Sequence, residues 1–347
     1  MKQFSVRYRK EFLTGLKNTE FEHTNSMRKV TLTDICIEKD NMQSFDLERY
    51  QAVDGVFDPT NIFKHGIAYD GKFPQVFVGK EITILNYYGV LFKLDEDNDT
   101  LINLPVNRYD NSNERYTFID NGNDWWLVNE SMTVHCNDGT LTSYNVGVNT
   151  GLFVNGRIVM GGFPSFGIVP SIYSTLKNAS ANTIVWSPVG GTYMSTQFEE
   201  TIADTTYLDS LDIGYSSVKG DVLSMVAYQE GFLVGTTKAI YYCKFIVAEI
   251  STLSITKVTD VGILNRNSLV DVNGVIYFVG KNHSLYKFGQ GLTDLDYSYL
   301  LSAMTDLFLL SDDNNSTLFI CDGSLGYMYK NEHLSELSKS ISGLINY

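Results

Sequence analysis

The chain has 347 residues, of which 44% are apolar, 13% aromatic and only 19% charged, and its net charge is −14. That is ample apolar sequence for a large core and the wrong balance for long disordered segments, which are highly charged and poor in aromatics. With 40 acidic against 26 basic side chains, the composition argues against a surface that grips phosphate backbones, which needs clustered Lys and Arg.

Residues 1–28 are mixed and charged and read as an N-terminal arm, with a short strand possible over Phe4–Tyr8. Lys29–Ile37 alternates apolar and polar residues, the pattern of a half-buried strand. Asn41–Lys64 is irregular, with Asp58-Pro59 as a turn signal. Neither a signal-peptide core at the N-terminus nor an apolar run of the roughly eighteen residues a membrane helix needs is expected.

From Ile67 a strand-turn-strand phrase recurs. The first copy gives Ile67–Tyr69, Gln75–Val78, Glu81–Leu85 and Gly89–Leu94, and the second Arg115–Ile119, Asp124–Val128, Met132–Cys136 and Leu141–Tyr144. The third gives Gly151–Val154, Arg157–Gly161 and, after an insertion, Thr183–Ser187. Leu223–Tyr242 and Ser268–Phe288 hold the fourth and fifth copies. A sixth runs through Asp306–Leu310, Ser316–Cys321 and Leu325–Tyr329. Each run is a short apolar or aromatic stretch bounded by Gly, Asn or Lys, the signature of strands joined by hairpin turns.

The central strands fall near residues 77, 126, 159, 233, 277 and 319. A spacing of about 30 to 50 residues, with about four short strands per unit, predicts an all-β fold: a β-propeller of five or six blades, six preferred. The propeller is expected over 29–330, with long inter-blade loops at about 163–182 and 192–219. Lys29–Ile37 is a candidate to complete the last blade and remove its free edge. The tail, 331–347, carries apolar residues at helical spacing from His333 onward, which predicts a short helix.

Chemistry-bearing residues are scattered. Asp54, Asp58, Asp124 and Asp138 stand in or near blade loops, where a glycosidase would place its carboxylates, but Asp-Gly, Asn-Asp and Asp-Pro contexts are also what turns require. His23, His65, His135, His283 and His333 form no metal-binding spacing; His135 and His283 read as structural residues at strand ends or turns. Asp95–Asp99 and Ser311–Asn315 have calcium-loop composition without its frame and read as hairpin tips. Trp125 and Trp126 point to opposite faces of one strand, so at most one can stack on a sugar. Cys36, Cys136, Cys243 and Cys321 form no Cys-x-x-Cys pair and read as buried free thiols. No catalytic, cofactor-binding or metal-binding residue is assigned.

Four stretches carry a resemblance. Asn155–Gly162 followed by Thr183–Gly190, then Asp221–Tyr242 and Val261–Val279, resemble the patterned apolar stretches of the nozzle and head-completion propellers of short-tailed bacteriophages, the tail tubular protein B and packaged-DNA stabilisation type. The resemblance covers residues of about 150 to 290 and rests on apolar patterning; typical nozzle proteins are longer, with extra platform and tip domains. It implies a non-enzymatic virion protein assembled in the host cytoplasm: a homo-oligomeric ring, six-membered for preference, in the tail or head-to-tail connector. Its implied partners are portal, adaptor and tail fibre or tip proteins, with DNA passing through the ring without sequence-specific contact. The alternative is a carbohydrate-active propeller, either a glycosidase or a glycan-binding module.

Overall fold

A computed structural model describes residues 75–337, apart from 80–81, 88–89, 96–99, 105–114, 123, 138–139, 145, 164–179, 188, 190–213, 247–251, 314–315 and 323. Among the described residues there are six four-stranded antiparallel sheets. Sheet 1 is β1 (Gln75–Val78), β2 (Thr83–Tyr87), β3 (Val90–Asp95) and β4 (Thr100–Asn103). Sheet 2 is β5 (Thr117–Asp120), β6 (Asp124–Val128), β7 (Thr133–Asn137) and β8 (Thr140–Tyr144). Sheet 3 is β9 (Thr150–Val154), β10 (Arg157–Gly161), β11 (Thr183–Trp186) and β12 (Gly214–Ser217). Sheet 4 is β13 (Val222–Tyr228), β14 (Gly231–Thr236), β15 (Ile240–Ile246) and β16 (Thr252–Thr259).

Sheet 5 is β17 (Leu269–Val272), β18 (Val275–Val279), β19 (Leu285–Phe288) and β20 (Leu292–Asp296). Sheet 6 is β21 (Phe308–Asp312), β22 (Thr317–Cys321), β23 (Gly326–Lys330) and β24 (His333–Glu336). One short helix, α1 (Ser298–Leu301), joins the last two sheets. In every sheet the strands lie side by side in chain order. This repeated up-and-down sheet is the blade of a multi-blade β-propeller.

Burial explains why these segments are strands. The second strand of a sheet is covered on both faces, so it reads as an unbroken apolar run: β6, β10, β14 and β22 are buried along their whole length. The fourth strand is partly open, and its sequence is mixed, as in β8 and β20.

The described residues divide into two compact units. One comprises Phe77–Lys93 and Asn103–Leu269. Within it, sheet 2 is covered on both sides. One face packs Trp125, Leu127, Val134 and Cys136 against Phe77, Ile84 and Leu91. The other packs Ile119, Trp126 and Val128 against Ile158, Met160 and Val185 of sheet 3. Sheet 3 turns its opposite face, with Val159, Ile184 and Trp186, onto Phe232, Val234 and Tyr241 of sheet 4.

The first strands β5, β9 and β13 run beside one another, and polar side chains stitch them together. Met225 N donates to Thr150 Oγ1 at 3.0 Å, and Asn149 Nδ2 donates to the Val222 carbonyl at 2.7 Å. Gly151 makes this closeness possible: a Cβ there would stand 2.5 Å from Ile119 Cδ1 and 2.8 Å from the Val159 carbonyl oxygen.

The other unit includes Leu94–Ile102 and Val270–Tyr347. Its described core joins sheets 5 and 6 through tyrosines. Tyr329 meets Tyr277 and Tyr297 edge-on, with ring centroids 5.7 and 6.4 Å apart. A second cluster packs Phe308, Phe319, Cys321, Met328 and Leu337.

Several expectations are corrected. The strand near residue 77 is the first of sheet 1; the second strand, equivalent to those near 126 and 159, is Thr83–Tyr87. The stretch 192–219, expected as one loop, contains β12, which pairs with β11 as the outer strand of sheet 3. The expected helix from His333 begins as β24, paired with β23 through Tyr329↔Leu334 and Tyr327↔Glu336, so the sheet region passes beyond residue 330. Sheet 6 thus draws four strands from residues 308–336. The arm 1–28, the strand Lys29–Ile37, Ile67–Tyr69 and residues 338–347 lie outside the described residues.

Candidate functional site

Of the residues singled out for chemistry, the fold brings two together. Asp124 opens β6 and His135 sits in the middle of β7, not at a strand end. The β6–β7 register sets Trp126 opposite His135 and Asp124 opposite Asn137, so Asp124 and His135 are diagonal neighbours on one face. His135 Nε2 stands 3.4 Å from Asp124 Oδ2. The imidazole also stacks on Trp126, with ring centroids 3.8 Å apart and planes 14° from parallel. Burial holds the His135 pKa below its ordinary value, against the opposing pull of the Asp124 carboxylate.

Both members of the pair are only 4% exposed. A general acid or base must reach a substrate proton directly or through one water, and the burial of both side chains leaves little room for either approach. Trp125 and Trp126 are equally committed: Trp125 is buried against Phe118, with ring centroids 6.3 Å apart, and Trp126 is wholly buried. Neither ring offers a sugar platform.

The other candidates fall apart. His283 occupies the β18–β19 turn with φ of 61°, its N–H donating to the Gly280 carbonyl at 2.8 Å. His333 begins β24. Asp313 lies at the β21–β22 turn and accepts from Asn273 N at 3.1 Å, whereas Ser311 and Asp312, expected at the hairpin tip, end β21 and pair with Leu318 and Thr317. Asp95 ends β3. Among the described residues no group of three or more His, Cys, Asp or Glu could hold a metal ion. Cys136, Cys243 and Cys321 are buried, and burial pushes the Cys243 thiol up to about 12. Asp54, Asp58, Asp138, His23, His65, Cys36 and Glu96–Asp99 lie outside the described residues.

Sequence reasoning missed two polar arrangements. The first is a clasp joining the separate phrases that carried the family resemblance. Arg157 Nη1 donates to the Ser187 carbonyl at 2.8 Å, and Ile158 N donates to Ser187 Oγ at 3.0 Å. The guanidinium is buried and also lies 5.2 Å from the centre of the Phe245 ring on sheet 4. A buried arginine persists only where its donors are occupied. Its signal in the sequence was an Arg at the head of an otherwise apolar strand.

The second arrangement links hairpin tips of successive sheets. Asn155 Nδ2, at the β9–β10 turn, donates to the Glu230 carbonyl at the β13–β14 turn at 3.0 Å. Asn273 Nδ2, at the β17–β18 turn, donates to Ser316 Oγ at the β21–β22 turn at 3.1 Å. Both asparagines have φ of 51° and precede a glycine of positive φ. The Asn-Gly pair gives the two-residue turn its left-handed conformation, and its amide reaches across to the next sheet.

No family model matches the chain, and no curated protein matches it. Solved structures do. One described as YCF48 bound to D1 peptide is 9% identical over 78% of this chain and 86% of that one, with a TM-score of 0.44. Another, Hsv2 of Kluyvelomyces marxianus, is 10% identical over 64% of this chain and 62% of that one, with a TM-score of 0.35.

Proposed function

We propose that this chain is a structural virion protein of a bacteriophage tail or head-to-tail connector. It forms a ring around the DNA channel, six-membered for preference, that helps retain the genome and then release it. The observation that supports this reading is the resemblance of residues of about 150 to 290 to short-tailed phage nozzle and head-completion proteins. Its first two pieces, Asn155–Gly162 and Thr183–Gly190, are the ones tied by the Arg157–Ser187 clasp. The net charge of −14 suits the same role, since an acidic wall repels DNA and leaves it mobile. The proposed partners are further copies of the chain, portal and adaptor proteins, and fibre or tip proteins. The proposed location is the virion, after assembly in the host cytoplasm.

The test is electron microscopy of the purified chain, alone and mixed with a short-tailed phage portal–adaptor complex. Rings, formed alone or on that complex, are the expected result. A chain that stays monomeric in both samples overturns the proposal, as does release of sugars from a glycan substrate.

A further inference from the structure

We infer that Asn155 is a site of spontaneous covalent modification, deamidating ahead of the other described Asn-Gly pairs and thereby releasing a link between sheets 3 and 4. The described residues contain three such pairs: Asn121-Gly122, Asn155-Gly156 and Asn273-Gly274. In this chemistry the backbone nitrogen of the glycine attacks the asparagine Cγ. The new N–Cγ bond closes a five-membered succinimide, the Cγ–Nδ2 bond breaks, and ammonia leaves with the glycine's proton. Water then opens the ring at either carbonyl, giving Asp or isoaspartate. No oxidant or other co-reactant takes part.

The attacking N–H distinguishes the three pairs. Gly122 N donates to Asp120 Oδ1 at 2.7 Å, and Gly274 N donates to Asp271 Oδ1 at 2.8 Å. Each of these nitrogens must give up a charge-assisted hydrogen bond before it can lose its proton and attack, and each sits beside a carboxylate that opposes formation of a nitrogen anion. Among the described residues no acceptor holds Gly156 N. Asn155 is itself exposed at the hairpin tip.

The same reaction removes the inter-sheet link. Asn155 Nδ2 is the donor to the Glu230 carbonyl. Conversion to Asp replaces that donor with an anionic acceptor facing another acceptor. Conversion to isoaspartate also adds a methylene to the main chain, which a two-residue turn paired through Val154↔Arg157 has no room for.

The experiment is to hold the full chain in mildly alkaline buffer at physiological temperature and follow each Asn-Gly peptide by mass spectrometry. Asn155 is expected to convert several-fold faster than Asn121 or Asn273. In D271A, which frees Gly274 N, Asn273 is expected to speed up severalfold, while Asn155 keeps its rate. Equal or slower conversion at Asn155, no conversion at any of the three, or an unchanged Asn273 rate in D271A each overturns the inference.

Discussion

His135 and Asp124 face each other across 3.4 Å although their strands pair them with other residues: His135 is registered against Trp126, and Asp124 against Asn137. The carboxylate therefore approaches the imidazole diagonally while the indole stacks on its face. A neutral imidazole fills this position, because burial outweighs the carboxylate's attraction for a proton.

The pH dependence follows from that direction. The unfolded chain takes up a proton at His135 near the ordinary value of about 6.5, while the folded chain resists it until lower pH. Between the two values the unfolded state binds more protons, so stability falls as pH drops through that window. We expect the unfolding midpoint of the wild-type chain to fall below pH ~6.5 and that of H135Q to fall less steeply. Denaturant titrations across the acid range, with tryptophan fluorescence as a second readout, check this. Parallel slopes for the two proteins would remove His135 as the cause.

Arg157 cannot be replaced conservatively. Lysine lacks the planar fork that donates to the Ser187 carbonyl while lying over Phe245. R157K is expected to destabilise the fold by about 1–3 kcal/mol, the range for disturbing a buried charged hydrogen-bonding group. S187A, which removes the acceptor of Ile158 N, should cost less, about 1 kcal/mol. Urea midpoints at unchanged slope report both.

The sequence carried the inner strands plainly and the outer strands poorly, for one physical reason. Gly231–Thr236 is buried on both faces and is an unbroken run. Thr252–Thr259 and Leu292–Asp296, at the partly open edge, carry polar residues that periodicity alone leaves ambiguous. Leu334 and Leu337 stand at helical spacing, yet β23 offers a strand edge that pairs Leu334 into a sheet. The Asp124–His135 pair was hidden for a related reason. Both residues were visible as candidates, but their meeting depends on the β6–β7 register, which no local motif announces.

Gly151 is held by space rather than by turn geometry. G151A sets a methyl against Ile119 Cδ1, which can swing aside, and against the Val159 carbonyl, which is backbone and cannot. A loss of about 1–3 kcal/mol is expected from this overpacking. Gly289 is the control, since a Cβ there meets Val275 Cγ1 at 3.9 Å, an ordinary contact; G289A should stay within about 0.5 kcal/mol of wild type. Thermal unfolding of the two variants side by side decides the matter.

Glu332 marks a place where the fold tolerates strain without evident return. Asn331 and Glu332 make the two-residue β23–β24 turn with φ of 52° and 65°. Asparagine accepts the left-handed region readily, whereas a glutamate there carries a steric cost of roughly 1 kcal/mol. Its side chain is exposed, and β23 and β24 pair through Lys330↔His333 on either side of the turn. E332G relieves the clash, while the added freedom of the unfolded chain takes part of the gain away. The expected net effect is a stabilisation of about 0.5 kcal/mol, read as a raised unfolding midpoint. E332A retains a Cβ and should show little of it. A lower midpoint for E332G than for wild type would mean that the glutamate makes a contact whose loss outweighs the relieved backbone.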